Sequence, residues 1–485
     1  MPPDLTLVID AGTSALRAVT VSADGGVAVV AREPWNTVTP EDAAPFGREL
    51  DATSAQAALL RAIAAARGES HIAGIAFTGQ REGLVFVDDA GDALLVSPNV
   101  DARAAAAGMA IDAKHAAEVY RATGHLPSLM QAAAKLAWMR EHRPRDAARV
   151  RYAMPLADWL ASTLTGERRA SRCLLVENGL LDITAAAPFD ALGSPSGAGS
   201  SIAPPSVADG SIVGACRSGD TAQLPVVLCG GDTQCALVGT GAVEAGAGAV
   251  AAGWSAPVQI VTPSVVFDAA MRTWAGLHVV PDRWIVESNA GETGRVWEWL
   301  LSMLGVPASD ADAAAAASPA GAHDVMAVLG PARMNAAAMN AGVGGLTFPL
   351  PIVMSAPDRG DLLRAALEAT AFAIRANLKQ AEHVAGVRAP ELRLGGGMSR
   401  SDALPRILAD VIDRPVYVAS TPETSALGAA ALAAPALGVH DSLTAALAAM
   451  VRPSRIVEPA ARTAAQYEDL YERWLAMCET FGSMP

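Results

Sequence analysis

Residues 5–17 read Leu-Thr-Leu-Val-Ile-Asp-Ala-Gly-Thr-Ser-Ala-Leu-Arg, a short apolar run, a polar turn, and the start of a second run that continues to Val21. Such a run reads as a buried strand, and the turn Asp10-Ala11-Gly12-Thr13-Ser14 sends the chain back beside it. Asp24-Gly25-Gly26 turns it again into Val27 to Ala31, so the first thirty residues predict a β-meander. Outward from there, Ala52 to Ala66 has helical composition, Ile72 to Phe77 and Leu84 to Val87 read as strands, and a long Ala-rich helical region begins at Asp101. The first half is therefore α/β.

The second half repeats the alternation. Ala249 to Ala252 and Val258 to Val261 open a new strand series after Gly241 to Gly246. Later come a helix over Asp361 to Val384, a strand over Leu392 to Leu394, a helix over Asp402 to Ile412, a strand over Val416 to Val418 and a helix over Ser425 to Leu437. Tyr467, Leu470, Tyr471, Trp474, Cys478 and Phe481 recur at three- and four-residue spacing, which makes one apolar helix face for core packing. The Gly, Ser, Pro and Ala-rich stretch from Phe189 to Gly210 reads as a surface loop ahead of a strand over Pro225 to Leu228. A chain of 485 residues suits two domains, placed at 1–243 and 244–485, with a cleft between them.

Composition narrows the function. A formal charge of −14 without a basic block argues against nucleic acid or an anionic membrane as the main partner. Hydrophobic residues reach 51% but form no uninterrupted membrane span. Met1-Pro2-Pro3-Asp4 has neither the basic start nor the apolar stretch of a secretory signal, which predicts a cytoplasmic location. The five cysteines are scattered without a CxxC pair, so reduced thiols are expected rather than disulfides or zinc.

Four motifs could carry chemistry. In the first, Gly12 lets a phosphate approach the backbone, Thr13 and Ser14 add donors, Arg17 adds charge, and Asp10 could hold Mg²⁺ through water. An ordinary hydrogen-bonded turn would use the same residues. The second is Cys229-Gly230-Gly231-Asp232-Thr233-Gln234, a strand end opening a helix. Asp232 there is either a general base for an attacking hydroxyl or simply a helix cap. The third, Thr78-Gly79-Gln80-Arg81-Glu82-Gly83, puts an Arg-Glu pair at a strand end, where it can hold vicinal hydroxyls or be a solvated ion pair. The fourth, Gly395-Gly396-Gly397-Met398-Ser399-Arg400-Ser401, offers a flat glycine surface for an adenine ring.

The order and spacing of these motifs resemble the FGGY family of carbohydrate kinases. So do Asn99-Val100-Asp101-Ala102-Arg103, Leu164-Thr165-Gly166-Glu167, Asn289-Ala290-Gly291-Glu292-Thr293-Gly294 and Glu423-Thr424-Ser425-Ala426-Leu427-Gly428-Ala429-Ala430. The resemblance implies two ribonuclease-H/actin-like α/β domains, each a mixed sheet flanked by helices, with an ATP and sugar cleft between them. It implies ATP and Mg²⁺ as cofactors and phosphorylation of a sugar or polyol hydroxyl. Asp232 would be the base, with Gln80, Arg81, Glu82, Asp232 and Thr233 around the acceptor. Gly12, Thr13, Ser14, Arg17, Gly253, Ser255, Gly294, Gly396, Gly397 and Ser401 would surround the nucleotide, and Asp10 and Asp232 would face the metal through water. A small sugar or polyol is the expected partner, and a homodimer is compatible with the sequence. Gln80-Arg81-Glu82 is similar to the glycerol and autoinducer-2 branches. One departure stands out: Gly253-Trp254-Ser255-Ala256 replaces the family's usual Gly-Thr in the second phosphate loop. The alternative it raises is a nucleotide-binding sensor of the same fold with little or no activity.

Overall fold

The computed structural model describes residues 5–66, 68, 71–189, 202–217, 221–338, 343–353 and 356–482. Most of the loop expected over Phe189 to Gly210, residues 190–201, lies outside them.

The first sheet is built from β1 (Leu5–Ala11), β2 (Ala15–Ser22), β3 (Val27–Pro34), β4 (Ile72–Gly79), β5 (Ser211–Ala215) and β6 (Pro225–Gly231), in the spatial order β5-β6-β4-β1-β2-β3. The expected meander is present: β1, β2 and β3 pair antiparallel, whereas β1, β4 and β6 run parallel. The second sheet has β7 (Gly248–Ala251), β8 (Pro257–Thr262), β9 (Trp274–Leu277), β10 (Trp284–Asn289), β11 (Leu392–Gly395), β12 (Val416–Ala419) and β13 (Pro453–Val457), in the order β9-β10-β8-β7-β11-β12-β13. Here too the first strand has antiparallel β8 on one side and parallel β11 on the other, followed by parallel β12. The two sheets thus share one topological core, two parallel halves of a ribonuclease-H/actin-like molecule.

Side-chain alternation along the strands feeds both faces of the first sheet. Leu7, Ile9, Ile75, Phe77, Val226 and Leu228 pack in one cluster with α1 (Ala52–Ala65). Val8, Val19, Ala76 and Val227 face the other way, against Ala426, Leu427, Ala429 and Ala430. Those four belong to a helix of the second half of the chain, Thr424–Ala433. It is shorter than the pattern over Ser425 to Leu437 predicts, because Pro435 has no N–H with which to continue the ladder. In the second half, Arg359–Ala385 is opened by a capping box between Asp358 and Asp361, and the C-terminal helix Ala461–Gly482 buries Tyr467, Leu470, Tyr471, Trp474 and Cys478 as expected.

The helix Asp232–Thr240, which follows β6, meets Thr424–Ala433, which follows β12. A Cβ on Gly239 would stand 2.0 Å from the Thr424 carbonyl oxygen, so only glycine lets the two backbones come this close. The two lobes are joined along this crossing.

Candidate active site

Ligands of open α/β sheets sit beyond the carboxyl ends of the strands. In the first sheet three parallel strands end level with one another: Ala11 is in register with Gly79, and Gly79 with Gly231. Three of the motifs, at Asp10 to Ser14, Gln80 to Glu82 and Asp232, therefore emerge side by side although they lie far apart in sequence. In the second sheet Ala251 is in register with Gly395, which brings Gly253 and the triple glycine together in the same way.

Asp10 and Arg17 stand opposite each other in the β1–β2 hairpin, and Arg17 Nη2 lies 2.5 Å from Asp10 Oδ2. Its other terminal nitrogen, Nη1, reaches Glu423 Oε2 in the second lobe, also at 2.5 Å. Burial works against the Arg17 charge, but Asp10 outweighs it and holds the guanidinium above its ordinary pKa. Asp10 is fully buried, and its Oδ1 has no hydrogen-bond partner among the described residues. An unpaired carboxylate oxygen beside a phosphate-sized turn suits a hydrated Mg²⁺, which keeps several waters and takes few protein ligands. Among the described residues no group of three or more His, Cys, Asp or Glu could hold a metal by itself.

Asp232 is the first residue of its helix. The cap is Gly231, with no side-chain cap bond, and the Asp232 carboxylate meets a first-turn amide through one oxygen only. Oδ1 accepts hydrogen bonds from the Thr233 backbone N–H at 2.7 Å and from Thr233 Oγ1 at 3.1 Å. Burial, and then the charge of Asp10, push the carboxyl up to about 6, with Arg81 and the Thr233 bonds pulling the other way.

Gln80 and Asn99 shape the first turn. Gln80 Nε2 donates to the Gly12 carbonyl at 3.1 Å, and its Oε1 accepts from the Asn99 N–H at 2.6 Å. Asn99 Nδ2 donates to Thr13 Oγ1 at 3.0 Å. Both ends of the Gln80 amide are thus engaged within the protein. Glu82 has a positive φ of 63°, and burial raises its carboxyl above the usual range. Lys135 Nζ donates to the Glu82 carbonyl at 2.9 Å, and burial lowers the lysine to about 8.

Arg81 is where sequence reasoning fell short. Its guanidinium forms a bidentate pair with Glu287, at 2.8 and 2.9 Å, across the lobes. Glu177 lies 3.6 Å away, and the Trp274 ring stands 5.2 Å from the guanidinium carbon. Glu177 in turn pairs with His125 Nε2 at 3.0 Å and accepts from Gln234 Nε2 at 2.6 Å. Buried and desolvated though it is, Glu177 stays below the usual carboxylate range because His125 and Arg81 favour its charge. Neither glutamate belongs to a motif. The available signal was a charged residue inside an apolar run, in Trp-Ile-Val-Glu for Glu287 and in Cys-Leu-Leu-Val-Glu for Glu177.

Beyond the strand ends of the second sheet the glycines converge. A Cβ on Gly294 would stand 1.9 Å from the Gly253 carbonyl oxygen, and one on Gly396, whose φ is +83°, would stand 2.6 Å from the Ala252 carbonyl oxygen. The Met398 N–H also donates to Ala252 O at 2.9 Å. A Cβ on Gly253 or Gly397 would meet nothing within 4 Å, so these two border open space. Trp254 is 45% exposed at this edge and Ser255 half-buried. Ser14 is exposed, and its hydroxyl accepts a long bond from Arg32 at 3.5 Å. Ser401 points elsewhere: its Oγ bonds Asp312 at 2.6 Å and accepts from the Leu404 N–H at 2.9 Å.

Comparison with known proteins agrees with this geometry. Residues 5–239 match the model for the N-terminal domain of the FGGY family of carbohydrate kinases, and residues 248–437 match that for its C-terminal domain. The chain belongs to the FGGY family of carbohydrate kinases. It is 30% identical over 497 residues to an autoinducer-2 kinase of Klebsiella pneumoniae, covering 96% of this chain and 92% of that one. A solved xylulose kinase from Rhodospirillum rubrum is similar at a TM-score of 0.81 and 25% identity, with 98% of both chains covered. A Plasmodium falciparum glycerol kinase with ADP shares the fold, at a TM-score of 0.84, 18% identity and 98% coverage of both chains. This FGGY kinase is accordingly a phosphotransferase with an alcohol acceptor. Among its described residues no helix is long and apolar enough to cross a membrane.

Proposed function

We propose that the protein moves the terminal phosphoryl group of ATP onto a hydroxyl of a small sugar or polyol, with Asp232 as the general base. The observation that carries this reading is the Asp232 carboxylate itself. It stands at the end of a parallel strand and is anchored by Thr233, its backbone N–H and hydroxyl, through Oδ1 alone. Oδ2 is thereby left to accept an acceptor proton.

Mg-ATP, when bound, supplies the transferable phosphoryl group, and the cation offsets charge on the phosphate oxygens. Asp10 would hold the hydrated cation through its unpaired Oδ1, with Arg17 fixing the carboxylate from behind. Gly12, Thr13 and Ser14 line the first phosphate turn, and Gly253, Gly294, Gly396 and Gly397 give the nucleotide a surface without side chains. Arg81 and Glu82 border the acceptor. Asp232 takes the hydroxyl proton as the oxygen attacks, while the closed lobes exclude water. The relatives named autoinducer-2 kinase put autoinducer-2 among the candidate acceptors.

A coupled ADP-release assay with Mg-ATP over trioses to heptuloses, polyols and sugar acids tests the reading. Turnover that depends on one class of acceptor is expected. ATP binding without turnover on the whole panel would instead support the sensor suggested by Trp254.

A further inference from the structure

We propose that Glu287 is a specificity-determining residue of the acceptor pocket. By filling the guanidinium fork of Arg81 from the opposite lobe, it reserves the pocket for uncharged polyols and sugars and excludes acceptors that carry a carboxylate. This deepens the kinase reading and rests on it.

A guanidinium fork is the natural bidentate partner of a substrate carboxylate. Here that fork is occupied, with both terminal nitrogens of Arg81 bonded to Glu287. Glu287 is not free to swing away. It is fully buried, stands opposite Gln259 in the β8–β10 ladder, and accepts a bond from Gln259 Nε2 at 2.8 Å.

The neighbouring cations are engaged as well. His125 has Nε2 on Glu177 and Nδ1 at 2.8 Å from the Thr123 carbonyl oxygen. Lys135 is fully buried and directs its ammonium at the Glu82 carbonyl. Arg17 is held between Asp10 and Glu423. An incoming carboxylate would therefore have to displace Glu287, stranding a buried charge, or lie without a partner beside Glu82, Glu177 and Asp232. Both are costly. A hydroxyl meets no such obstacle, since it can donate to these carboxylates.

The test compares xylitol and xylulose with xylonate as acceptors for the full-length protein with Mg-ATP. The wild type is expected to favour the neutral acceptors by at least ~10² in kcat/KM, as for a site that would leave a buried charge unpaired. Glu287→Gln should narrow that ratio about tenfold by raising kcat/KM for xylonate, whereas Glu287→Asp, which keeps the anion, should preserve the preference. Should Glu287→Gln lower all acceptors in proportion, the residue is structural and the proposal falls. Calorimetric binding of xylitol and xylonate to the wild type in Mg-ADP needs neither turnover nor a folded variant. Xylonate binding as tightly as xylitol would overturn the proposal. Failure of every acceptor to release ADP would instead overturn the kinase reading and leave the binding comparison to decide on Glu287.

Discussion

Gly428 lies so close to Cys235 that a Cβ on Gly428 would stand 1.8 Å from the Cys235 carbonyl oxygen. A glycine inside a helix costs about 1 kcal/mol relative to alanine, and here it permits the helix-to-helix contact that joins the lobes. Gly428→Ala should therefore destabilise the protein despite its better helix propensity, by about 1–3 kcal/mol as for other overpacked cores. Thermal unfolding of the variant measures this, and an unchanged or raised Tm would refute the close crossing.

The proposed nucleotide side makes a similar demand. Since a Cβ on Gly294 would run into the Gly253 carbonyl, Gly294→Ala must push outward the Gly253 loop that we propose faces the nucleotide phosphates. The expected result is a rise in KM for ATP of roughly tenfold or more, with a smaller change in acceptor KM, as misplacement of a positioning group produces. Initial-rate kinetics with each substrate varied in turn would show it.

The pH dependence follows from Asp232. Burial, aided by Asp10, pushes its carboxyl up to about 6. A base works only when unprotonated, so kcat/KM should be level above that pH. It should fall about tenfold per unit as the pH drops below it. A pH–rate profile between 4.5 and 8 at saturating Mg-ATP reads this limb; a profile flat down to about 4.5 would exclude such a base.

Trp254 offers a direct optical probe. It is 45% exposed beside Gly253 and Gly294, so Mg-ADP should change the intrinsic fluorescence, and Trp254→Phe should abolish most of that change. Titration of both proteins with Mg-ADP provides the comparison.

Much of this was legible in the sequence because local signals and tertiary placement agreed. Apolar runs ending in glycine-bearing polar turns marked β1, β6 and β11, and the carboxyl ends of those strands are where Asp10, Asp232 and Gly396 stand. The Arg81 network was not legible, because its members come from separate elements and Arg81 and Glu287 are 206 residues apart. Read alone, Glu177 or Glu287 is one charge in an apolar segment, and only folding shows that it faces a guanidinium. Gln80 shows the opposite limit: its motif was visible, but not that both ends of its amide would be used to hold Gly12 and Asn99. The tight approach of Gly428 was hidden as well, since an alanine-rich helix gives no sign of what crosses it.

The most direct measurement compares Asp232→Asn with the wild type, in turnover on the preferred acceptor and in calorimetric affinity for Mg-ATP. With Asp232 as the base, kcat falls by roughly 10²–10⁴ while the nucleotide affinity stays within a few-fold. Near wild-type turnover in the asparagine variant would contradict the account.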